Sequence, residues 1–445
     1  MTTPLQTRLG VLRDQGVSQT ICDRLGELIE QGPPEILAKA VPPRLAAGWG
    51  TDPEETLEAF LHATRVGLFD LEWDLRCPSC TGPVQNTTHL RELRSKASCD
   101  LCQIDFEGGF DDAVEVTFRV HPDLRDLSGL DLVQVVLAHI EPSPVLQLQA
   151  GAGGRAEGEV ELKEGNYHWI VPGQMAAVGM RVDAAAPAGE AVIRLRSDGH
   201  LIDRGAWLRA PGTYRVVLEA RPEADDEILL TRASDAPWIS AAEIACRQSF
   251  RDLFSSELIR ADQTFSVKNL AFVFTDIKGS TELYERLGDA RAFELVREHF
   301  DIIIELVKRH RGAIVKTIGD AVMATFQSSE DALRFIFEMH TDFDRFNEAE
   351  AVRDDIIVKV GLHRGPCIAV NLNDRIDYFG RSVNTAARVQ GLSVGGDIVI
   401  SARTVEDPRV EALLGDGGWG REAFEAELKG IEGKVPLLRL ARAGS

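Results

Sequence analysis

The sequence predicts an α+β chain, with a ferredoxin-like domain in about its last two-fifths, preceded by a helical unit, a small cysteine-bearing module and an all-β domain. Three observations carry that expectation. The hydrophobic period changes from helical before residue 75 to alternating between 110 and 235. Beyond Asn269 the pattern reads strand, helix, strand, strand, helix, strand, the order of a ferredoxin-like unit. Between the helical and alternating regions lie two C-x2-C pairs.

Composition narrows the class before any motif does. With 445 residues, 44% hydrophobic and 27% charged, the chain is of ordinary globular make-up and long enough for roughly three domains. Its 49 basic and 70 acidic residues leave a net charge of −21, which disfavours nucleic acid and anionic membranes as partners. No apolar run approaches the length of a membrane span, and the N-terminus shows no apolar signal core, so a cytoplasmic protein is expected. Lysine is scarce, ten residues against 39 arginines, so a lysine at a motif position carries extra information.

Residues 1–75 read as a helical, winged-helix-like unit, with Thr51-Asp52-Pro53-Glu54 as a helix start leading into Leu57, Phe60, Leu61 and Ala63. Residues 76–109 hold Cys77, Cys80, Cys99 and Cys102 at C-x2-C-x18-C-x2-C spacing. Two such knuckles close a tetrahedral four-thiolate shell around one structural Zn2+, the pattern of a zinc ribbon. Residues 110–238 alternate, as in Val114, Val116, Phe118 and Val120, and predict a sandwich or barrel with a hairpin at Asp198-Gly199. Tyr167, His168 and Trp169 there read as core or rim, and nothing in that domain names a ligand. Residues 239–267 predict a linker helix over 240–257, with Ile244, Phe250, Leu253 and Phe254 on one stripe, serving packing or transmission.

Residues 268–445 carry the chemistry. Leu270–Phe274 reads as a buried strand, and Phe293, Val296, Phe300, Ile303 and Val307 as one face of a helix. Ala313–Ile318 and Val322–Phe326 read as a hairpin around Gly319-Asp320. Asp276 follows the first strand and Asp320 caps the hairpin. In this topology strand and hairpin are neighbours, so both carboxylates project toward one point, where a hard divalent cation binds with phosphate oxygens. Ile277, Gly279, Ser280 and Thr281 then supply backbone N–H groups at a helix start, a cradle for a polyphosphate.

Three segments in order, Phe272–Thr281, Val315–Met323 and Asp377–Arg388, resemble the catalytic domain of class III nucleotidyl cyclases, over about residues 268–442. The resemblance implies a lyase that makes cyclic AMP and pyrophosphate from ATP at a homodimer interface, with two Mg2+ or Mn2+ ions per site. It implies that Asp276 and Asp320, with the Ile277 backbone, hold the metals. Lys316 and Asp377 match the pair that reads adenine, Asn384 and Arg388 the transition-state residues, and Lys429 in Leu428-Lys-Gly430 the lysine on the terminal phosphates.

Elementary chemistry agrees with the base assignment. A lysine donor facing adenine N1 and a carboxylate accepting from the 6-amino group suit A, and both mismatch guanine. Guanylyl members typically carry Glu and Cys at those positions. Two features depart from relatives: many soluble bacterial members have Thr or Ser where Asp377 stands, and Gly365–Asn373 is short and glycine-poor for a segment that shapes the dimer. A guanylate cyclase and a non-catalytic nucleotide-binding module are the alternatives. The front half resembles a domain of uncharacterised function found ahead of some bacterial cyclases, with the same CPxC knuckle. It is expected to regulate the catalytic domain in response to an unidentified small molecule or protein.

Overall fold

In the computed structural model, which describes residues 3–78, 81–99, 104–130, 144–171, 176–187, 191–196, 208–232, 237–350, 356–415 and 418–442, the N-terminal helices begin where the sequence supplies caps. Thr3 and Gln6 form a reciprocal capping box ahead of Pro4–Asp14. Asp52 accepts from the amides of Glu54 and Glu55, both at 2.9 Å, and starts Pro53–Arg65 at the predicted place. That helix buries Leu57, Phe60, Leu61 and Ala63. Among the described residues no helix is long and apolar enough to cross a membrane. The chain divides into two units, Met1–Gly108 with Asp112–Ile239, and Gly109–Asp111 with Ser240–Ser445.

In the first unit the boundaries drawn at 75 and 110 fall inside one sheet. Phe69–Arg76 pairs antiparallel with Val114–Val120 on one side and Pro83–Thr87 on the other. Trp73 opposite Val116 and Leu71 opposite Phe118 show why: each strand buries an apolar face that only the other can complete. The cysteine module is thus an insertion between paired strands. It begins with a tight turn in which Thr81, at φ 57°, donates to the Cys77 carbonyl and the Cys77 amide donates to Gly82. It continues as the hairpin Lys96–Cys99 with Ile104–Glu107. Cys77 and Cys99 are buried in one cluster with Val84, Ile104 and Phe106, whereas Cys80 and Cys102 lie outside the described residues.

From Leu146 to Arg232, the described residues form sheets of three and five strands around a shared core that includes Tyr167, Trp169, Tyr214 and Leu230. Tyr167 and Trp169 are core residues, each 2% exposed. The Asp198-Gly199 hairpin lies outside the described residues. The strand before it, Val192–Arg196, pairs in parallel with Gly212–Glu219.

In the second unit the elements are numbered from its own start. The predicted single helix over 240–257 is two, α1 (Ala241–Ala245) and α2 (Gln248–Leu253), broken at Arg247. They belong to the second unit rather than to a linker. The chain continues through β1 (Phe265–Ile277), α3 (Ser280–Leu287), α4 (Asp289–Arg309), β2 (Gly312–Ile318), β3 (Ala321–Phe326), α5 (Ser329–Glu350) and β4 (Val358–Asn371). The order β2-β3-β1-β4 is the ferredoxin-like sheet, extended by β6 (Ile398–Ser401), β8 (Lys434–Arg442) and β7 (Trp419–Glu427). A turn with Asn373 and Asp374 both at positive φ folds β5 (Ile376–Phe379) back onto β4.

Helices α4 and α5 bury Leu295, Ile303, Leu333 and Ile336 against Val273 and Ile277 of β1. Phe293, expected on that stripe, is instead 61% exposed. Helix α6 (Arg381–Gln390) packs on the opposite face at Gly361, where a Cβ would lie 2.2 Å from the Gln390 nitrogen. That close approach holds α6 over the sheet.

Candidate active site

The pairing of β1 with β3 brings Asp276, at the end of β1, beside Asp320, at the tip of the β2–β3 hairpin. The Ile277 amide donates to Asp320 Oδ2 at 3.3 Å, tying hairpin to strand end. Burial first, and the Asp320 carboxylate second, push Asp276 above the usual carboxylate range, opposed by Lys359 directly across the ladder. Two carboxylates held together at this cost are a donor set suited to a hard divalent cation. Behind them His299 is fully buried, its pKa pushed down to about 4 chiefly by burial. Neither ring nitrogen has a hydrogen-bond partner among the described residues.

The expected phosphate cradle is narrower than the sequence implies. The Ile277 amide is committed to Asp320 and the Lys278 amide to the Ile357 carbonyl, so Ile277 has only its carbonyl to offer a ligand. Gly279, at φ 69°, caps α3, and the amides of Gly279, Ser280 and Thr281 remain at the helix start.

At the other end of the site Lys316 and Asp377, 61 residues apart, meet at 2.7 Å between Nζ and Oδ2. Lys316 sits on edge strand β2, where the register shifts between Ile314 and Lys316, a bulge that re-aims the side chain. Its ammonium also lies 5.6 Å from the centre of the Phe379 ring. Asp377 is buried, and its Oδ1 accepts from the Tyr378 amide at 2.7 Å.

Asn384 and Arg388 share one face of α6, a turn apart. Val389 packs with Val399, Leu428 and Leu437, which seats the Leu428–Gly430 turn against this helix. Gly430 lies next to the Arg388 guanidinium, so Arg388 and the exposed Lys429 border the same space. Among the described residues one chain has no direct hydrogen bond or ion pair between its two carboxylates, Asp276 and Asp320, and the Asn384, Arg388 and Lys429 group. Sequence reasoning missed Phe379 and Tyr378, whose aromatic character gives a period-2 strand pattern and no chemical signal. Cys367 is a buried residue whose thiol is pushed up by burial, as a core position requires.

Parts of the chain are similar to known proteins. Residues 263–413 match the family described as adenylate and guanylate cyclase catalytic domain, and residues 2–139 match a family of unknown function, DUF5939. The chain is similar to adenylate cyclase 2 of Rhizobium meliloti, 31% identical over 211 residues, covering 44% of this chain and 56% of that protein. It is also similar to an adenylate cyclase of Mycosarcoma maydis, 32% identical over 187 residues, 36% of this chain and 7% of that protein. The adenylyl cyclase CyaB structure from P. aeruginosa is 23% identical, covers 41% of this chain and 97% of its own, with a TM-score of 0.36. The chain therefore spans about half or less of the curated relatives it matches.

Proposed function

Starting from a C-terminal domain of the cyclase catalytic family, we propose that the chain is an adenylate cyclase converting ATP to 3′,5′-cyclic AMP and pyrophosphate at a site shared by two copies. The observation that carries the choice of ATP is the Lys316–Asp377 pair at 2.7 Å. Lys316 presents a donor to adenine N1, and Asp377 presents an acceptor to the 6-amino group. Guanine reverses both roles and leaves the half-buried Lys316 and the buried Asp377 mismatched.

Asp276, Asp320 and the Ile277 carbonyl are the groups that would hold two Mg2+ or Mn2+ ions. Bound there, such ions lower the pKa of the ribose 3′-OH and neutralise charge on the leaving phosphates. The remaining work falls to the chain. The amides of Gly279, Ser280 and Thr281 cradle the phosphates, Asn384 holds the ribose, and Arg388 stabilises charge gathering on the α-phosphoryl group. Lys429, on the turn beside Arg388, neutralises the terminal phosphates.

The separation of acidic and basic groups within one chain supports a homodimer in which each chain completes the other's site. Exposed Ile318 on β2 and Phe379 on β5, with Ile368 of β4 and Leu372 of the turn before β5, provide apolar surface for that contact. Purified protein with ATP and Mg2+ or Mn2+ is expected to yield cyclic AMP, with GTP a poor substrate. Asp320→Ala and Asn384→Ala are each expected to be inactive, and mixing them to restore a quarter or less of the activity. Cyclic GMP as the main product would make the chain a guanylate cyclase, and no product with binding retained would make it a nucleotide-binding module. Mixed dimers without recovery would refute the shared site.

For the front half we read a four-thiolate Zn2+ site at Cys77, Cys80, Cys99 and Cys102, supported by the burial of Cys77 with Cys99. Metal analysis should find about one Zn per chain, lost in Cys77→Ser with Cys80→Ser. The same variant assayed for cyclic AMP tests regulation by this region: an unchanged rate argues against it.

A further inference from the structure

The two residues assigned to the base stand on strands that, among the described residues, pair on one side only. Lys316 is on β2, the outer edge, and Asp377 is on β5, four residues long and paired only with β4. A strand bonded on one side has little to fix its lateral position. Both are nonetheless tied from behind, and by the same short segment.

Gln248 of α2 accepts from the Ile314 amide at 2.8 Å, two residues before Lys316. Its own amide donates to Asp252 at 2.8 Å, which fixes which end faces the strand. Arg251, three residues on, donates to the Ile376 carbonyl at 3.0 Å, one residue before Asp377. Its Nε donates to the Ala245 carbonyl at 3.0 Å, and its guanidinium lies 5.9 Å from the centre of the Tyr378 ring. The segment is itself anchored, since Phe250 and Cys246 are buried. A cavity of about 200 Å³ lined by Gln248, Arg251, Ile314, Val315 and Ile376 lies at this junction. Across this gap the hydrogen bonds to Ile314 and Ile376 add to the sheet ladders in fixing the two strands.

We infer that Gln248 and Arg251 are positioning residues for base selection: by bracing Ile314 and Ile376 from one rigid segment, they set the Lys316–Asp377 spacing that distinguishes adenine from guanine. The inference rests on the adenylate cyclase reading and adds a specificity device outside the groups that touch nucleotide. It also links α1 and α2 to selectivity, because any displacement of this segment moves both base-reading residues at once.

The test uses the full chain. Gln248→Met and Arg251→Met remove the bonds while keeping length, and Gln248→Glu keeps the acceptor for Ile314. The ratio of kcat/KM for ATP to that for GTP is expected to fall about tenfold in each Met variant, mainly through a higher KM for ATP. Gln248→Glu, combined with Asp252→Asn so that two carboxylates do not face each other, is expected to recover most of it. A merely structural role would lower both substrates equally, so an unchanged ratio overturns the inference whatever happens to the rate. Where Gln248→Met does not fold, the shorter Gln248→Asn takes its place. If the wild type makes no cyclic product, the enzyme reading falls, and the same ratio is read from Kd for ATP and GTP. Unchanged binding preference in the variants then overturns the positioning role separately.

Discussion

The two ends of the candidate site are built on opposite electrostatic principles. At the acidic end Asp276 and Asp320 are like charges brought together, and Asp276 is held above the usual carboxylate range by burial and by its neighbour. At the base-reading end Lys316 and Asp377 are opposite charges already in contact at 2.7 Å. The first arrangement carries a repulsion that a bound cation would relieve. The second is complete in itself, and its geometry is kept ready for a base. Under the proposed function the site would gain from this division: affinity for the cation would come from unrelieved charge, and selectivity from preorganisation.

The largest effect expected from breaking this contrast is at Asp276. Asp276→Asn keeps the shape and removes the charge, and kcat/KM is expected to fall by about 10³-fold or more, since metal-ion stabilisation supplies several kcal/mol. The metal-free variant should nevertheless unfold at a higher temperature than the metal-free wild type. The sign follows from the raised pKa. A carboxyl with a folded value above its unfolded one contributes most below the unfolded value, and that contribution is lost as pH rises through the folded value. The difference in melting temperature should therefore be present at neutral pH and vanish on acidification below about pH 4. Added Mg2+ or Mn2+ should raise the midpoint of the wild type alone. Equal midpoints for the two metal-free proteins at neutral pH would mean that no such repulsion is stored at the acidic end.

How much of this was legible in the sequence depended on what kind of residue carried it. Asp276, Asp320 and Lys316 are polar residues at strand ends and a hairpin, where packing does not ask for them, so they stand out against the apolar pattern. The βαββαβ order followed from periods that include Val273, Val296, Ile303 and Val307, which the core then used. The break at Arg247 did not follow, because Ile244 and Phe250 leave a six-residue gap that a stripe read loosely will bridge. The first-unit boundaries failed for a different reason: the partner of Phe69–Arg76 is Val114–Val120, beyond the whole cysteine module, and no local period announces a distant pairing. Gln248 and Arg251 were illegible because a side chain bonding a backbone amide or carbonyl demands no particular residue at the other end. The narrowing of the phosphate cradle had the same origin, in the commitment of the Ile277 and Lys278 amides within the fold.

The smaller effect, and the one that completes the comparison, is at Lys316. Lys316→Ala removes a cation from a balanced pair and leaves the buried Asp377 carboxylate with the Tyr378 amide as its remaining described partner. Loss of one partner from a buried charged group costs about 1–3 kcal/mol. Here the melting temperature should fall, opposite in sign to the change at Asp276. Adenine loses its N1 donor, and preference for ATP over GTP should drop by about 10- to 100-fold. Lys316→Glu with Asp377→Cys, which replaces the adenine-reading pair by the guanine-reading residues of the resemblance, should instead turn preference toward GTP while Asp276 and Asp320 continue to support the chemistry. Steady-state kinetics with both nucleotides and melting curves without metal measure all of this together. A Lys316→Ala protein that is more stable than the wild type would mean that the pair at 2.7 Å is held under strain rather than at rest. The two ends of the site would then share one principle, charge kept unsatisfied until substrate arrives.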